Sequence, residues 1–306
     1  MKLGLGLYRH MLRDEEFAFA RQCSCTDLII HLANYYSNDQ EIVKATDEKV
    51  NYGDSKAGES IWSLESLLEL QRRAQARGLR IYGIENFSPA DWYDVLLDGP
   101  KKEEQMENLK QIIRRVGQAG IRCFGYNFSL AGVWGHQKTT RARGGAVSTC
   151  FHADQLDLEA RIPNGEVWNM TYDPNAPEGH IPDIGYEELW ARLKWFLEQI
   201  LPVAEEAGVM MALHPDDPPM PCLRGTPRMV YQPELYQKVL DLLPSPCNGI
   251  DFCMGSIQEM THGDIYEALE QYAAQGRIAY AHVRNVRGKV PDYTCLLYTS
   301  PSPRDT

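Results

Sequence analysis

The pattern of apolar and polar positions along this chain predicts repeated strand–helix units. Short apolar runs that end in polar or turn-forming residues predict seven strands, at 3–8, 27–32, 80–85, 121–126, 208–214, 248–253 and 278–283. Three amphipathic helices are predicted by apolar residues at three- and four-residue spacing: Leu64, Leu67, Leu68 and Leu70; Met106, Leu109, Ile112, Ile113 and Val116; Leu189, Leu193, Phe196, Leu197 and Ile200. Such alternation predicts a parallel sheet buried on both faces, which either a barrel or a doubly wound sheet would provide.

Two segments interrupt this rhythm. Residues 35–60 are polar and rich in Asn, Asp and Lys, and residues 128–186 form a long stretch without clear periodicity. A connection of that length is usually functional or disordered. The aromatic residues Trp134, Trp168 and Tyr172 favour a functional segment, so we expect an ordered lid over a pocket. His136 in this segment and His262 are weaker site candidates.

Charge and composition narrow the range of partners. The formal net charge of −11 argues against a nucleic acid, because an acidic chain repels phosphates. The sequence contains no apolar stretch of about 18 residues, so no membrane-spanning helix is predicted. The first residues also lack the apolar core and cleavage site of a signal peptide. We therefore expect a cytoplasmic protein, with most of its eight cysteines acting as small buried apolar residues.

The ends of three successive predicted strands carry side chains that can bind a metal. His214, Cys253 and His282 each close an apolar run. Because parallel strands of an α/β fold gather their carboxyl ends on one side, these side chains are predicted to converge on one ion. Imidazole and thiolate donors favour zinc or iron over manganese. A fourth ligand is expected, and no other predicted strand end offers an obvious one.

Other polar residues at strand ends and in the insertion are candidates for binding a substrate. Arg143, Arg224 and Arg284 could each hold a carboxylate through two hydrogen bonds, and a surface ion pair is the alternative for each. Asp216, with its neighbour Asp217, could orient an imidazole or accept from a substrate hydroxyl, unless it only forms an Asp-Pro turn. The strand-end residues suited to a polyol are Arg9, His10, Glu85, Asn86 and Asn127.

Longer motifs at these positions resemble the mannonate dehydratase family. They include Gly-Leu-Tyr-Arg-His at 6–10, Ile-Glu-Asn-Phe-Ser-Pro at 84–89, Ala-Gly-Val-Trp-Gly at 131–135, Val-Trp-Asn-Met at 167–170, His-Pro-Asp-Asp-Pro-Pro at 214–219 and His-Val-Arg-Asn-Val at 282–286. The resemblance runs from residue 1 to about residue 293. Trp134, Asn169 and Asn285 lie within these motifs and complete the predicted substrate-binding set.

The resemblance implies a fold, a reaction and a cofactor. The implied fold is a TIM (β/α)8-type barrel of the xylose-isomerase-like kind. The implied reaction converts D-mannonate to 2-keto-3-deoxy-D-gluconate in hexuronate (glucuronate) catabolism. The implied cofactor is a divalent ion, usually Mn²⁺, held by His, Cys, His and Asp, of which His214, Cys253 and His282 match the first three. We adopt Mn²⁺ as the expected ion, with Fe²⁺ as the alternative.

The end of the sequence departs from the family pattern. Residues 295–306 look like one reading frame of a sequencing adapter, and the family's Asp-Glu-Gly-Asp stretch, which supplies the fourth ligand, is absent. We therefore expect a single barrel domain over residues 1–294, truncated before the eighth strand, with a lid-like insertion at about 128–186. The acid–base residues are expected to lie in the missing part, so this copy is predicted to be inactive.

Two other functions remain open on the sequence. A sugar isomerase or epimerase on the same barrel would use the metal without needing arginines for a carboxylate. A non-catalytic metal-binding fragment would fit the adapter-like end. The expected partner is a small sugar acid and neither nucleic acid nor membrane, and a homo-oligomer is left open.

Overall fold

The main sheet contains the seven strands that the apolar runs predict. The protein, a computed structural model, is described over residues 2–33, 62–140 and 147–295. The strands follow one another across the sheet in chain order. They are β1 Gly4–Leu7, β2 Asp27–Ile30, β3 Arg80–Glu85, β4 Cys123–Tyr126, β9 Met210–Leu213, β12 Asn248–Cys253 and β13 Ile278–His282. All seven predictions are confirmed, with the bounds of β3 and β12 unchanged.

The strands pair in parallel, as strand–helix repeats require. Parallel registers join β1 to β2, β2 to β3, β3 to β4 and β12 to β13. Every residue of β4 and β12 is buried, which fits a sheet covered on both faces. By contrast, β1 and β13, at the two ends of the strand order, are largely half-buried or exposed.

Eight α-helices lie in the described part of the chain. They are α1 Asp14–Gln22, α2 Leu64–Ala76, α3 Pro89–Leu97, α4 Lys102–Gln118, α5 Tyr186–Ala207, α6 Leu235–Leu242, α7 Met254–Glu259 and α8 Ile265–Ala274. The predicted stripes of α4 and α5 are buried throughout, but Leu68 of α2 is 45% exposed and does not belong to the core. Gly120 and Gly208, just beyond α4 and α5, adopt left-handed φ values of +77° and +64°, which suit a glycine after a helix. None of these helices is long and apolar enough to cross a membrane.

The insertion at 128–186 contains short strands that the sequence pattern does not reveal. They are β5 Gln137–Thr139, β6 Ser148–His152, β7 Glu166–Val167 and β8 Met170–Thr171. A four-stranded sheet joins β5 and β6 to the late hairpin of β14 Val286–Lys289 and β15 Asp292–Cys295, in the order β14-β15-β6-β5. A further small hairpin consists of β10 Cys222–Leu223 and β11 Thr226–Pro227. Cys295, which the sequence assigned to the foreign tail, is therefore the last residue of β15, and residues 296–306 lie outside the described part.

The chain divides into two compact units. The first comprises Met1–Tyr126, Trp195–Ala212 and Ser245–Cys247, and its core includes Phe87 stacked on Phe124 at 4.2 Å between ring centroids. The second comprises Asn127–Lys194, Leu213–Pro244 and Asn248–Thr306, and its core includes Phe151 stacked on Tyr293 at 5.7 Å. A single domain over 1–294 stays a prediction.

A partly buried ion pair connects the start of β2 to the start of β3. Arg80 Nε donates to Asp27 Oδ1 at 2.8 Å, and Thr26 Oγ1 donates to Asp27 Oδ2 at 2.7 Å. Burial opposes the charged carboxylate, but the hydrogen bonds from Thr26 and Arg80 outweigh it and hold the pKa of Asp27 below its ordinary value. The stability that ionised Asp27 contributes is therefore present above about pH 4, the ordinary aspartate pKa, and is lost as the pH falls through the lower folded-state pKa.

We expect Asp27→Asn to lower the free energy of unfolding at pH 7. The difference from the wild type should shrink once the pH falls below about 4, because the wild type then loses the same charge. Urea unfolding at a series of pH values measures both effects. Glu206→Gln, at an exposed position of the same unit, is the matched control and should change little at any pH. A difference that grows on acidification would contradict the assignment.

Candidate metal centre

The structure brings the three predicted ligands together in the second unit. His214 directly follows β9, whereas Cys253 and His282 are the last residues of β12 and β13, whose register places them opposite each other. Their donor atoms all lie within 4.8 Å of one another. Cys253 is fully buried, His214 is half-buried and His282 is exposed. The cluster is thus buried on its thiol side and accessible on its His282 side, which suits an ion that also takes ligands from substrate or solvent.

The neighbours of these donors favour metal binding. His214 Nδ1 lies 2.6 Å from the Pro215 carbonyl oxygen, to which it can donate, so that Nε2 keeps its lone pair for a metal. Ser256 Oγ lies 3.2 Å from Cys253 Sγ and 3.1 Å from Asp217 Oδ2, and its single hydroxyl proton can be donated to either acceptor. Metal ligands in proteins are usually oriented by a hydrogen bond to another protein group. The residues present therefore fit a divalent ion. That they hold one stays a prediction.

The electrostatic surroundings of Cys253 favour its thiolate. Burial alone would raise the pKa of this thiol, but the charge of Arg284 and the imidazoles of His214 and His282 outweigh burial and hold the pKa well below its ordinary value. The thiolate is the form in which cysteine binds a metal. Cys253 is therefore prepared for coordination by its fixed neighbours.

Asp217 is the hub of a hydrogen-bond network beside the cluster. Tyr293 donates its hydroxyl hydrogen to Asp217 Oδ1 at 2.8 Å, Ser256 Oγ lies 3.1 Å from Oδ2, and Arg284 Nη2 pairs with the same Oδ2. His136 Nε2 lies 2.9 Å from Asp217 Oδ1. Burial opposes ionisation of Asp217, but Arg284 and His136 outweigh it and hold the pKa of the carboxyl well below its usual range. Asp217 is thus an ionised carboxylate.

Arg284 is engaged within the protein. One arm of its guanidinium pairs with Asp217, while Nη1 donates to Glu259 Oε1 at 2.7 Å. Its side chain is only 13% exposed. Arg284 is thus held beside Cys253 by two carboxyls, and the binding of a substrate carboxylate by Arg284 stays a prediction. Sequence reasoning missed Ser256 and Glu259, which lie on the six-residue helix directly after Cys253, and Tyr293, which only the packing of a distant strand places here.

Asp216 also binds to its own protein. Its Oδ2 accepts from the backbone N–H groups of Met229 and Val230 at 2.7 and 2.8 Å. Its Oδ1 lies 2.9 Å from Nε of Arg228, whose side chain is completely buried and was not a sequence candidate. Arg228 Nη1 donates to the Gly132 carbonyl oxygen at 2.8 Å. Asp216 and Arg228 thus anchor the start of the insertion to the loop after β9.

The remaining candidates of the second unit show how the insertion is ordered. Arg224 donates to Glu166 and to two backbone carbonyls, and its guanidinium lies 5.2 Å from the ring centroid of Trp134. Asn127 Nδ2 donates to the Pro215 carbonyl at 3.4 Å, while its Oδ1 accepts from Trp168 Nε1 at 3.3 Å.

Two asparagines and one arginine complete the predicted set in this region. Asn169 is exposed, and it shares the two-residue turn between β7 and β8 with Trp168, both at positive φ. Asn285 Oδ1 accepts from the Val286 N–H at 2.9 Å. Arg143 lies outside the described residues. The binding of substrate by these residues and the closure of a lid stay predictions.

Four predicted substrate residues belong to the first unit. Arg9 and His10 lie in a short 3-10 helix after β1, and burial with the nearby Arg13 lowers the pKa of His10. Glu85, the last residue of β3, lies 3.7 Å from His31 Nε2. Asn86 adopts a left-handed φ of 67°, and its N–H donates to the Gly125 carbonyl at 2.8 Å. These residues gather polar groups at the ends of β1, β2 and β3.

Comparison with known proteins gives one consistent family. The sequence profile of the D-mannonate dehydratase (UxuA) family matches residues 40–295. A mannonate dehydratase of Geobacillus thermodenitrificans is 33% identical over 241 residues, which cover 74% of this chain and 64% of that protein. The crystal structure of mannonate dehydratase from Streptococcus suis serotype 2 is similar with a TM-score of 0.73 at 28% identity, covering 98% of this chain and 76% of that one.

More distant structures share the fold alone. A D-psicose 3-epimerase of Clostridium cellulolyticum H10 is similar with a TM-score of 0.55 at 12% identity, covering 95% of this chain and 78% of that one. Together with the S. suis structure, it identifies the fold as the xylose-isomerase-like TIM-barrel type. The chain spans less than two thirds of the length of the first curated relatives that it matches.

Proposed function

Because this chain belongs to the D-mannonate dehydratase family, we propose that it serves the metal-dependent dehydration of D-mannonate to 2-keto-3-deoxy-D-gluconate in hexuronate catabolism. The observation that carries the proposal is the convergence of His214, Cys253 and His282, whose donor atoms lie within 4.8 Å of one another. A lyase of this kind removes a proton next to a carboxylate, which builds up negative charge that must be stabilised.

The three ligands would hold a divalent ion, Mn²⁺ first and Fe²⁺ as the alternative. Such an ion supplies a Lewis acid for the oxygens of the substrate. The softness of the donor set favours iron over manganese, and only the resemblance to the family favours manganese. Elemental analysis of the purified protein distinguishes the two ions.

The protein's own residues prepare the surroundings of the reaction. Arg284 and Ser256 hold the Cys253 thiolate in place, and Asp217 fixes the Tyr293 hydroxyl and the His136 ring by hydrogen bonds. Arg228 keeps the first part of the insertion against the loop after β9. We propose that the insertion covers the metal side of the second unit, so that Trp134 and Asn127 contribute to the substrate pocket.

The supply of ligands leads to an expectation for activity. The described residues provide three metal-binding donors at this cluster, and the family's Asp-Glu-Gly-Asp stretch is not in the sequence. We expect the 306-residue chain to show little or no turnover of D-mannonate with Mn²⁺ or Fe²⁺. A chimera that continues after Thr294 with the corresponding segment of the S. suis enzyme should form the 2-keto-3-deoxy acid readily.

The product identifies the function among its alternatives. Formation of the 2-keto-3-deoxy acid by the chimera supports the dehydratase. Formation of an epimerised or isomerised sugar would support a sugar isomerase or epimerase. A chimera that binds metal but converts neither mannonate nor aldoses would support a binding fragment. Turnover by the 306-residue chain at the rate of the chimera would contradict the expected inactivity. A cytoplasmic location and a small sugar acid as partner complete the proposal.

A further inference from the structure

Glu259 is a buried carboxyl beside the metal cluster that the proposed reaction does not use. It is the last residue of α7, the short helix that begins directly after Cys253, and its side chain is 0% exposed. Oε1 accepts from Arg284 Nη1 at 2.7 Å. Among the described residues, Oε2 has no hydrogen-bond partner. A buried carboxylate with one bare oxygen would be costly, because burial penalises an unpaired charge strongly.

Two buried carboxyls here share one arginine. Asp217 accepts from Tyr293 and Arg284 and has the Ser256 hydroxyl 3.1 Å away, while Glu259 accepts only from Nη1 of Arg284. One guanidinium cannot stabilise both buried carboxylates equally, and Asp217, which has more hydrogen-bond partners and also lies 2.9 Å from His136 Nε2, is the one that ionises. Burial first, and the Asp217 charge second, raise the pKa of Glu259 well above its usual range. The proton therefore belongs on Glu259.

We propose that Glu259 is a positioning residue that stays protonated and neutral at physiological pH, and that it fixes Arg284 behind the Cys253 ligand. Arg284 Nη2 donates to Ser256 Oγ at 3.0 Å, and Ser256 Oγ lies 3.2 Å from Cys253 Sγ. The neutral carboxyl leaves the positive charge of Arg284 to Asp217 and the thiolate. The second half of this inference, the effect on Cys253 as a ligand, rests on the proposed metal function.

The backbone beside Cys253 is shaped to let Arg284 reach this position. A Cβ at Gly255 would lie 2.4 Å from both Cγ and Nε of Arg284. The Arg284 side chain therefore passes over the first turn of α7 in contact with the main chain at Gly255. Its guanidinium then donates from Nη1 to Glu259. Loss of the hydrogen bond from Nη1 to Glu259 would leave the guanidinium held on its Nη2 side alone, where it could rotate about Asp217 and shift relative to Ser256.

The protonation state can be read directly by infrared spectroscopy. The difference spectrum between the wild type and Glu259→Gln at neutral pH should contain the C=O stretch of one protonated carboxyl. Glu267→Gln, at an exposed position of α8, is the matched control and should show only a carboxylate. A carboxylate signal from Glu259 would overturn the inference. Asp217→Asn removes the carboxylate that competes with Glu259 for Arg284 and that repels its charge, so Glu259 should ionise and its C=O band should disappear; a band that persists would speak against the shared charge.

The effect on the ligand can be read with Co²⁺ as a probe, without any turnover. The thiolate-to-cobalt absorption band of the wild type should be kept in Glu259→Gln, which is neutral and has an oxygen for Arg284. Glu259→Leu keeps the size but not the oxygen, and it should weaken Co²⁺ binding by about 10–100-fold and shift the band, as expected for a residue behind a ligand. Equal damage by both variants, or none by either, would refute the positioning role.

Failure of the metal proposal has a different signature. If the wild type shows no thiolate-to-cobalt band, the metal centre itself is wrong, while the infrared experiment still decides whether Glu259 is neutral. Circular dichroism and thermal unfolding of the variants separate a misfolded Glu259→Leu from a folded one. If that variant does not fold, the retention of the band in Glu259→Gln and the infrared result decide the inference.

Discussion

Replacing Cys253 with alanine is expected to weaken the binding of Co²⁺ or Mn²⁺ by more than about 100-fold, the upper end of the effect found for residues that only support ligands. Cys253 is the only anionic donor among the three, and it lies within 4.8 Å of the other two donor atoms. Removing it leaves two imidazoles, and it also leaves Arg284 facing a site that has lost a negative charge. Isothermal titration of the purified chain measures the change.

Cys150→Ala provides the matched control, since Cys150 is also a buried cysteine of the second unit but belongs to β6. It should leave the metal affinity unchanged. Thermal unfolding gives a second measurement, because a metal present at 100 times its dissociation constant stabilises the folded state by about 2.7 kcal/mol. The wild type should gain this stability on addition of metal and Cys253→Ala should not. Equal affinities of the wild type and Cys253→Ala would remove Cys253 from the site.

The arrangement of the main sheet and of the three candidate ligands could be predicted from the sequence for a simple reason. Parallel strands that are buried on both faces are continuous apolar runs, and their carboxyl ends lie on one side. Residues at those ends therefore approach each other whatever the details of packing are. His214, Cys253 and His282 needed no further information, and the register of β12 with β13 places two of them side by side.

The network behind the ligands could not be predicted, because it depends on segments that are distant in sequence. Glu259 stands on a helix of six residues, too short for a periodic pattern, and Tyr293 reaches Asp217 from β15. The pairing of β15 with β6 joins residues such as Asp292 and His152 that no local signal connects. Because β6 and β15 are short and mixed in composition, the sequence of neither strand indicates that it pairs with the other.

The arginines show a different limit. The presence of arginines at these positions correctly indicated cations near the site. It did not indicate which carboxylates those arginines pair with. Arg224 pairs with Glu166. Arg284 pairs with both Asp217 and Glu259. Arg228, without any motif to single it out, turned out to be completely buried. Only the positions of neighbouring carboxylates decide whether a guanidinium is available to a substrate or holds the protein together.

Arg228→Met is expected to lower the free energy of unfolding by about 3–5 kcal/mol, the cost of breaking a buried ion pair by removing one partner. Arg228 has no exposed side-chain surface and Asp216 is 5% exposed, so solvent cannot replace the lost partner. The hydrogen bond to the Gly132 carbonyl is lost as well, which loosens the start of the insertion. Urea unfolding followed by circular dichroism measures the loss, and Arg287→Met at an exposed position of β14 should change stability by no more than about 0.5 kcal/mol.

The partner substitution decides whether the loss comes from the charge pair. Asp216→Asn keeps an oxygen for the N–H groups of Met229 and Val230 and removes only the negative charge. In the double variant Arg228→Met/Asp216→Asn no charge is left unpaired, so its loss of stability should be smaller than the sum of the two single losses by about 1 kcal/mol or more. Strictly additive losses would mean that Arg228 acts through its packing and its bond to Gly132 alone. A coupled result would make the Asp216–Arg228 pair the electrostatic link that fixes the insertion to the loop carrying His214.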